Sequence, residues 1–138
     1  MEKIRQLLRL SLVNESGAAD IRAMIGERSY PDQLASITKP ILPCVNFDIT
    51  GGPFEQVLEA WRGTVRTWCW SEKNNGAKSD AWKLHDLLVL YWHQNSLDNS
   101  ILSRYVHLMH IGTPLDIFDD SLRAYAVVSD YQIIGAKT

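Results

Sequence analysis

Between Ala81 and Gln94 the chain reads AWKLHDLLVLYWHQ, and this segment constrains the fold more than any other. Wound at 100° per residue, Trp82, Leu84, Leu87, Leu88, Val89, Leu90, Tyr91 and Trp92 leave a polar strip of Lys83, Asp86, His93 and Gln94. A helix that is apolar nearly all round is buried on several sides, so the segment predicts the centre of a domain or part of a subunit interface. Ser79 or Asp80 is placed to cap it. The remaining chain must supply the cover, and 138 residues with 46% hydrophobic side chains suffice for one domain. With no linker and no internal repeat, residues 1–138 read as a single unit.

Other segments fit a helical surround. Glu2 to Val13 is rich in Leu and Arg, with Ile4, Leu7, Leu8 and Leu12 on one side and Arg5 and Arg9 on the other. It predicts a first helix that docks on the domain or on a neighbouring subunit. Ala18 to Arg28 predicts a second, and Asp32 to Thr38 a further turn before Pro40. Pro53 suits the first turn of a helix running to Glu72, with Phe54, Val57, Leu58, Trp61, Val65, Trp68 and Cys69 on one face. Ser100 caps a helix over Ile101 to Ile111 that Gly112 ends, and Leu115 to Phe118 reads as a short turn. Leu122 to Ile134 reads as helix, with a terminal strand as the alternative because Val127, Val128, Ile133 and Ile134 are β-branched. Ile41 to Thr50 differs: Pro43 and its β-branched and aromatic neighbours predict an extended crossing segment or an edge strand. The expected fold is therefore mainly α, one helical domain of five to seven helices with an extended segment near residues 41–50.

Charge narrows the partners. Fourteen Lys and Arg against sixteen Asp and Glu give a formal charge of −2, and neither half of the chain is basic. A protein that lives on phosphate contacts needs a positive surplus, so nucleic acid is disfavoured as the main ligand. Neither a signal-peptide pattern at Met1 nor an 18-residue apolar run is present, so the expectation is a cytoplasmic protein with no membrane span. The two cysteines, Cys44 and Cys69, lack CxxC spacing and read as reduced thiols, Cys69 buried and inert.

Catalytic motifs are missing: the sequence holds no P-loop, no GxSxG elbow and no HExxH. Gly51-Gly52-Pro53 reads as a sharp turn rather than an anion site. His85 falls on the apolar arc of its helix and reads as a core histidine. His107 and His110 fall three residues apart on one face of the expected helix, where two imidazoles can share a divalent metal if Asp86, His85 or His93 adds a third ligand. Trp70 projects opposite the apolar arc of its helix, among Glu59, Arg66 and Lys73, and Trp beside Arg is the composition of an interface anchor.

Weighed together, these features point to a non-enzymatic interaction or assembly protein, a homo-oligomer or an adaptor or inhibitor of another protein. It would act through apolar helix faces, with Trp70, Arg66, Arg62 and Leu90 as interaction residues, no cofactor, and itself or another protein as partner. A metal-binding domain or small enzyme using His107 and His110 is the rival from another class. A viral or phage structural protein touching RNA through Arg62, Arg66 and Trp70 is the third reading.

Overall fold

The computed structural model describes residues 2–13, 18–26, 28–30, 42–51, 60–72, 77–94, 106–120 and 123–136. Among them are three helices and five strands: α1 Glu2–Val13, α2 Ala19–Ile25, β1 Ser29–Tyr30, β2 Cys44–Gly51, β3 Ala60–Glu72, α3 Ala77–Val89, β4 Val106–Asp119 and β5 Ala124–Ala136. Helix α3 continues into a π-helical turn, Leu90–Gln94. The strands form one sheet in the order β1-β2-β3-β5-β4, parallel for β1 with β2 and antiparallel elsewhere. The expectation of a mainly α domain of five to seven helices is overturned: a mainly antiparallel sheet carries helices on one side.

The correction has a local cause in β3. Its sequence, AWRGTVRTWCWSE, alternates with period two once strand geometry is applied. Val65, Thr67, Cys69 and Ser71 are buried toward the helices, and Arg62, Thr64, Arg66, Trp68 and Trp70 occupy the opposite face. Both faces hold large apolar groups, so the helical wheel also found a stripe. Residues 106–111 and 124–134, expected as helix, are likewise strand, with the alternative for the latter realised. The expected turn at Leu115 to Phe118 lies within β4. The extended segment forms β2, with Pro43 just before its first residue. The helical turns expected over 32–38 and 53–59, and the first part of the helix expected over 101–111, lie outside the described residues.

All three helices cover one face of the sheet. Leu8 and Leu12 of α1, Ile21 and Ile25 of α2, and Leu84 and Leu88 of α3 meet Val45, Phe47, Val65, Leu108, Tyr131 and Ile133 in a single buried cluster. Each fully buried side chain of this size contributes about 1.5–3 kcal/mol by leaving water. Trp92 joins the layers: its ring packs edge-on against Phe47 and Tyr131, and its indole donates to Ser11 Oγ at 3.3 Å. Helix α3 is thus a covering helix, with Ala81, Leu84, His85 and Leu88 inward and Asp80, Lys83, Asp86 and Leu90 exposed. Arginines tie backbone ends together: Arg9 donates to the Ser29 carbonyl at 3.1 Å, Arg22 to Leu12 at 3.2 Å and Arg28 to Pro43 at 2.9 Å.

Candidate functional site

Among the described residues β4 is one of the two edge strands of the sheet, paired with β5 alone. Its pairing slips between Ile111 and Leu115, where Gly112 takes φ of 71° and Pro114 follows. Gly adopts positive φ without steric cost and Pro is tolerated on an edge, so this sequence forms a bulge rather than ending an element. A bulge and a proline also blunt an edge strand against addition of another strand.

On the face away from the helices, β4 presents Met109, Ile111, Leu115 and Ile117, all exposed, Leu115 to 65%. Beside them β5 contributes Val128 and Asp130, and β3 contributes Trp68, Arg66 and Arg62. A depression of about 340 Å³ lies between Arg66, Trp68 and Asp130 on one side and Ile111, Leu115 and Ile117 on the other. Arg66 and Asp130, directly opposite in register, close a two-bond ion pair at 2.9 and 3.2 Å at its margin. The carboxylate holds the guanidinium proton more tightly, chiefly through that hydrogen bond. The site is an apolar strip bordered by a matched cation and anion. Clusters of exposed large apolar side chains on a folded surface mark places where another molecule sits.

A second cluster lies on the helix side of β4. His85 of α3 is 3% exposed, with Nδ1 3.3 Å from Ser129 Oγ, which is 3.0 Å from Thr67 Oγ1. The His85 ring meets Trp82 and His110 edge-on at 5.6 Å each, and His110 meets Tyr131 at 5.3 Å. Burial, then the neighbouring His110, push the His85 pKa below the usual histidine value, while Asp86 opposes them. Burial also pushes the Tyr131 phenol up, as does Cys69. Ser129, two residues away, offsets part of this without reaching hydrogen-bonding geometry with the phenol.

Trp70 lies in the interior at 4% exposure, beside Cys44, Ala124 and Ala126, so the projection that singled it out as an anchor does not apply. Arg66 and Arg62 are exposed on the face that carries the apolar strip. Leu90 is 45% exposed at the end of α3, on the helical layer. His107 and His110 lie on a strand, so the helical spacing that paired them is absent. The structure instead brings His110 to His85, and no group of three His, Cys, Asp or Glu able to hold a metal occurs among the described residues. With Trp70 inside, the trio proposed for RNA does not share one accessible surface. No described helix is long and apolar enough to cross a membrane. The residues missed by sequence reasoning are Met109, Ile111, Leu115 and Ile117, whose signal was their alternation with His110 and Asp116.

The described residues place helices against one face of a mainly antiparallel sheet. Compared with known proteins, the chain matches no protein-family model and no curated protein.

Proposed function

We propose that this chain is a non-enzymatic assembly protein that associates with further copies of itself through the β3-β5-β4 face away from the helices. The observation that supports it is the apolar strip on β4, with Leu115 at 65% exposure and Met109, Ile111 and Ile117 beside it. Burying such groups drives most protein association, and the apolar centre with a charged margin is the anatomy of an interface. A second copy is the occupant favoured by the charges. The margin carries Arg66 and Asp130 together, so the same patch turned by a two-fold axis meets its complement. The bulge at Gly112 and Pro114 disfavours strand addition along the edge, which directs docking to the face. The surface is thus a sheet face, in place of the helix faces expected from sequence.

Light scattering at pH 7.5 tests the reading. The wild-type chain is expected at a multiple of its 15.7 kDa mass. The double substitution Leu115→Asp with Ile117→Asp is expected at the monomer mass with its melting temperature within a few degrees of wild type. A wild-type protein that stays monomeric at tens of micromolar, or an undiminished assembly in the double variant, overturns it. Recovery of a different protein bound to the same strip would move the reading from self-assembly to an adaptor.

A further inference from the structure

We propose that Thr113 is a phosphorylation site and that a phosphoryl group placed there takes the assembly apart. The inference rests on the assembly reading and adds its regulation.

Sequence and structure coincide at this residue. The five prolines follow Tyr30, Lys39, Leu42, Gly52 and Thr113, so Thr113 is the single Ser or Thr in the chain that precedes one. Proline-directed protein kinases accept that dipeptide: proline has no backbone N–H, so the pocket that receives it need offer no acceptor. Thr113 is exposed and extended, on a strand at the edge of the described sheet. It also falls inside the bulge. Pairing with β5 passes from Ile111 opposite Asp130 to Leu115 opposite Val128, so residues 112–114 have no ladder partner there. Such a segment yields to a kinase cleft more readily than a paired strand does, because locally weak segments open first.

Its neighbours set the effect. Thr113 lines the depression together with Ile111, Leu115, Ile117 and the Arg66–Asp130 pair. Ile111 and Leu115, which flank the bulge in the chain, are 38% and 65% exposed. In the transfer, Thr113 Oγ1 bonds to the γ-phosphorus of ATP held by the kinase, the bond from that phosphorus to the β–γ bridging oxygen breaks, and ADP leaves. The hydroxyl proton passes to the carboxylate base of the kinase. The product carries about −1.5 to −2 charges at pH 7. Arg66 is already matched by Asp130 through bonds of 2.9 and 3.2 Å, so a depression that was balanced becomes anionic. Burying that charge in an apolar contact is costly, and a two-fold partner presents the same surplus of the same sign. Docking covers Thr113, so the kinase acts on the dissociated chain and the modified chain is barred from docking again.

The test treats the purified chain with a proline-directed kinase and Mg·ATP and locates the phosphate by tandem mass spectrometry. Light scattering at pH 7.5 follows self-association before and after treatment, with circular dichroism to report folding. Phosphorylation at Thr113 is expected to weaken association by roughly tenfold or more while the chain remains folded. Thr113→Val is expected to assemble within about threefold of wild type, with or without kinase treatment. No phosphate at Thr113, or full phosphorylation there with assembly unchanged, overturns the inference and leaves the assembly reading standing. A wild type that is monomeric before kinase is added removes the assembly reading, and this inference with it. Should Thr113→Val fail to fold, Pro114→Ala takes its place: lost phosphorylation at Thr113 supports the assignment, and undiminished phosphorylation overturns it.

Discussion

The Trp70 indole donates a 2.6 Å hydrogen bond to Asn46 Oδ1, joining β3 to β2 on the face of the sheet away from the helices. Both residues are buried, and Cys44, Ala124, Ala126 and the half-buried Trp68 pack around the indole. A large aromatic ring with a polar edge needs such a partner once water is gone. The residue that the sequence offered as an interface anchor is thereby an internal tie between strands.

Replacing the ring tests that assignment. Trp70→Phe keeps most of the apolar contact but leaves the Asn46 carbonyl oxygen without its indole donor, which costs about 1–3 kcal/mol. Trp70→Ala opens a cavity as well and costs about 3–5 kcal/mol. Urea denaturation measures both losses. The mass of folded Trp70→Phe in solution is expected to equal that of the wild type, because the ring faces no partner.

The Arg66–Asp130 pair is expected to behave differently. Its geometry is good, yet Arg66 is 55% exposed, and pairs open to water contribute no more than about 1 kcal/mol. Arg66→Ala should therefore leave the urea midpoint nearly unchanged. If the pair borders a self-complementary interface, the same substitution slows assembly and reduces its dependence on salt. Stopped-flow association at two ionic strengths separates the two effects.

How far the fold was legible depends on the element. In α1 and α3, apolar residues recur at three and four places and no alternative period competes, so the helices were readable, as was the burial of His85. In β3, Trp68 and Trp70 occupy the face opposite Val65 and Cys69, so apolar groups from two faces also line up as one helical stripe that masks the period-two alternation. In β4, Gly112 and Pro114 carry the ordinary signals of a helix stop, and only the pairing with β5 turns them into a bulge. The same signals hide the apolar strip: a helix that stops at Gly112 and a turn over Leu115 to Phe118 put Ile111 and Leu115 on separate elements, whereas one strand carries both on one face. The pairing of His85 with His110 brings α3 against β4, and no local spacing encodes a contact set by sheet order.

The cysteines provide a chemical measure of the interior. Burial pushes the Cys44 thiol up to about 12, against a small opposing pull from Arg28, and burial followed by Cys44 and Asp86 pushes Cys69 up as well. A thiol reacts as its thiolate. Neither cysteine is expected to react with a disulfide reagent at pH 8 within an hour in the native protein, and both should react within seconds in guanidinium. Rapid native labelling of one thiol would show that its layer opens.

The two positive-φ glycines described differ in what a methyl group would cost. At Gly112, with φ of 71°, an added Cβ meets nothing within 4 Å, so the penalty is backbone strain alone. That strain is about 1–2 kcal/mol for alanine, and less for asparagine, which tolerates the left-handed region better. Gly26 ends α2 with φ of 60° and ψ of −120°, outside the left-handed helical well and in a region that is nearly glycine's alone. Its amide also closes the helix by donating to the Arg22 carbonyl at 2.8 Å. An added Cβ there meets Arg28 Nη1 at 3.6 Å, an ordinary contact, so conformation again decides the cost. Gly26→Ala is expected to lower stability by more than Gly112→Ala does, and Gly112→Asn by less than either. Chemical denaturation gives the order directly, and a Gly112→Ala chain as stable as wild type would mean that the bulge relaxes to a regular strand at little cost.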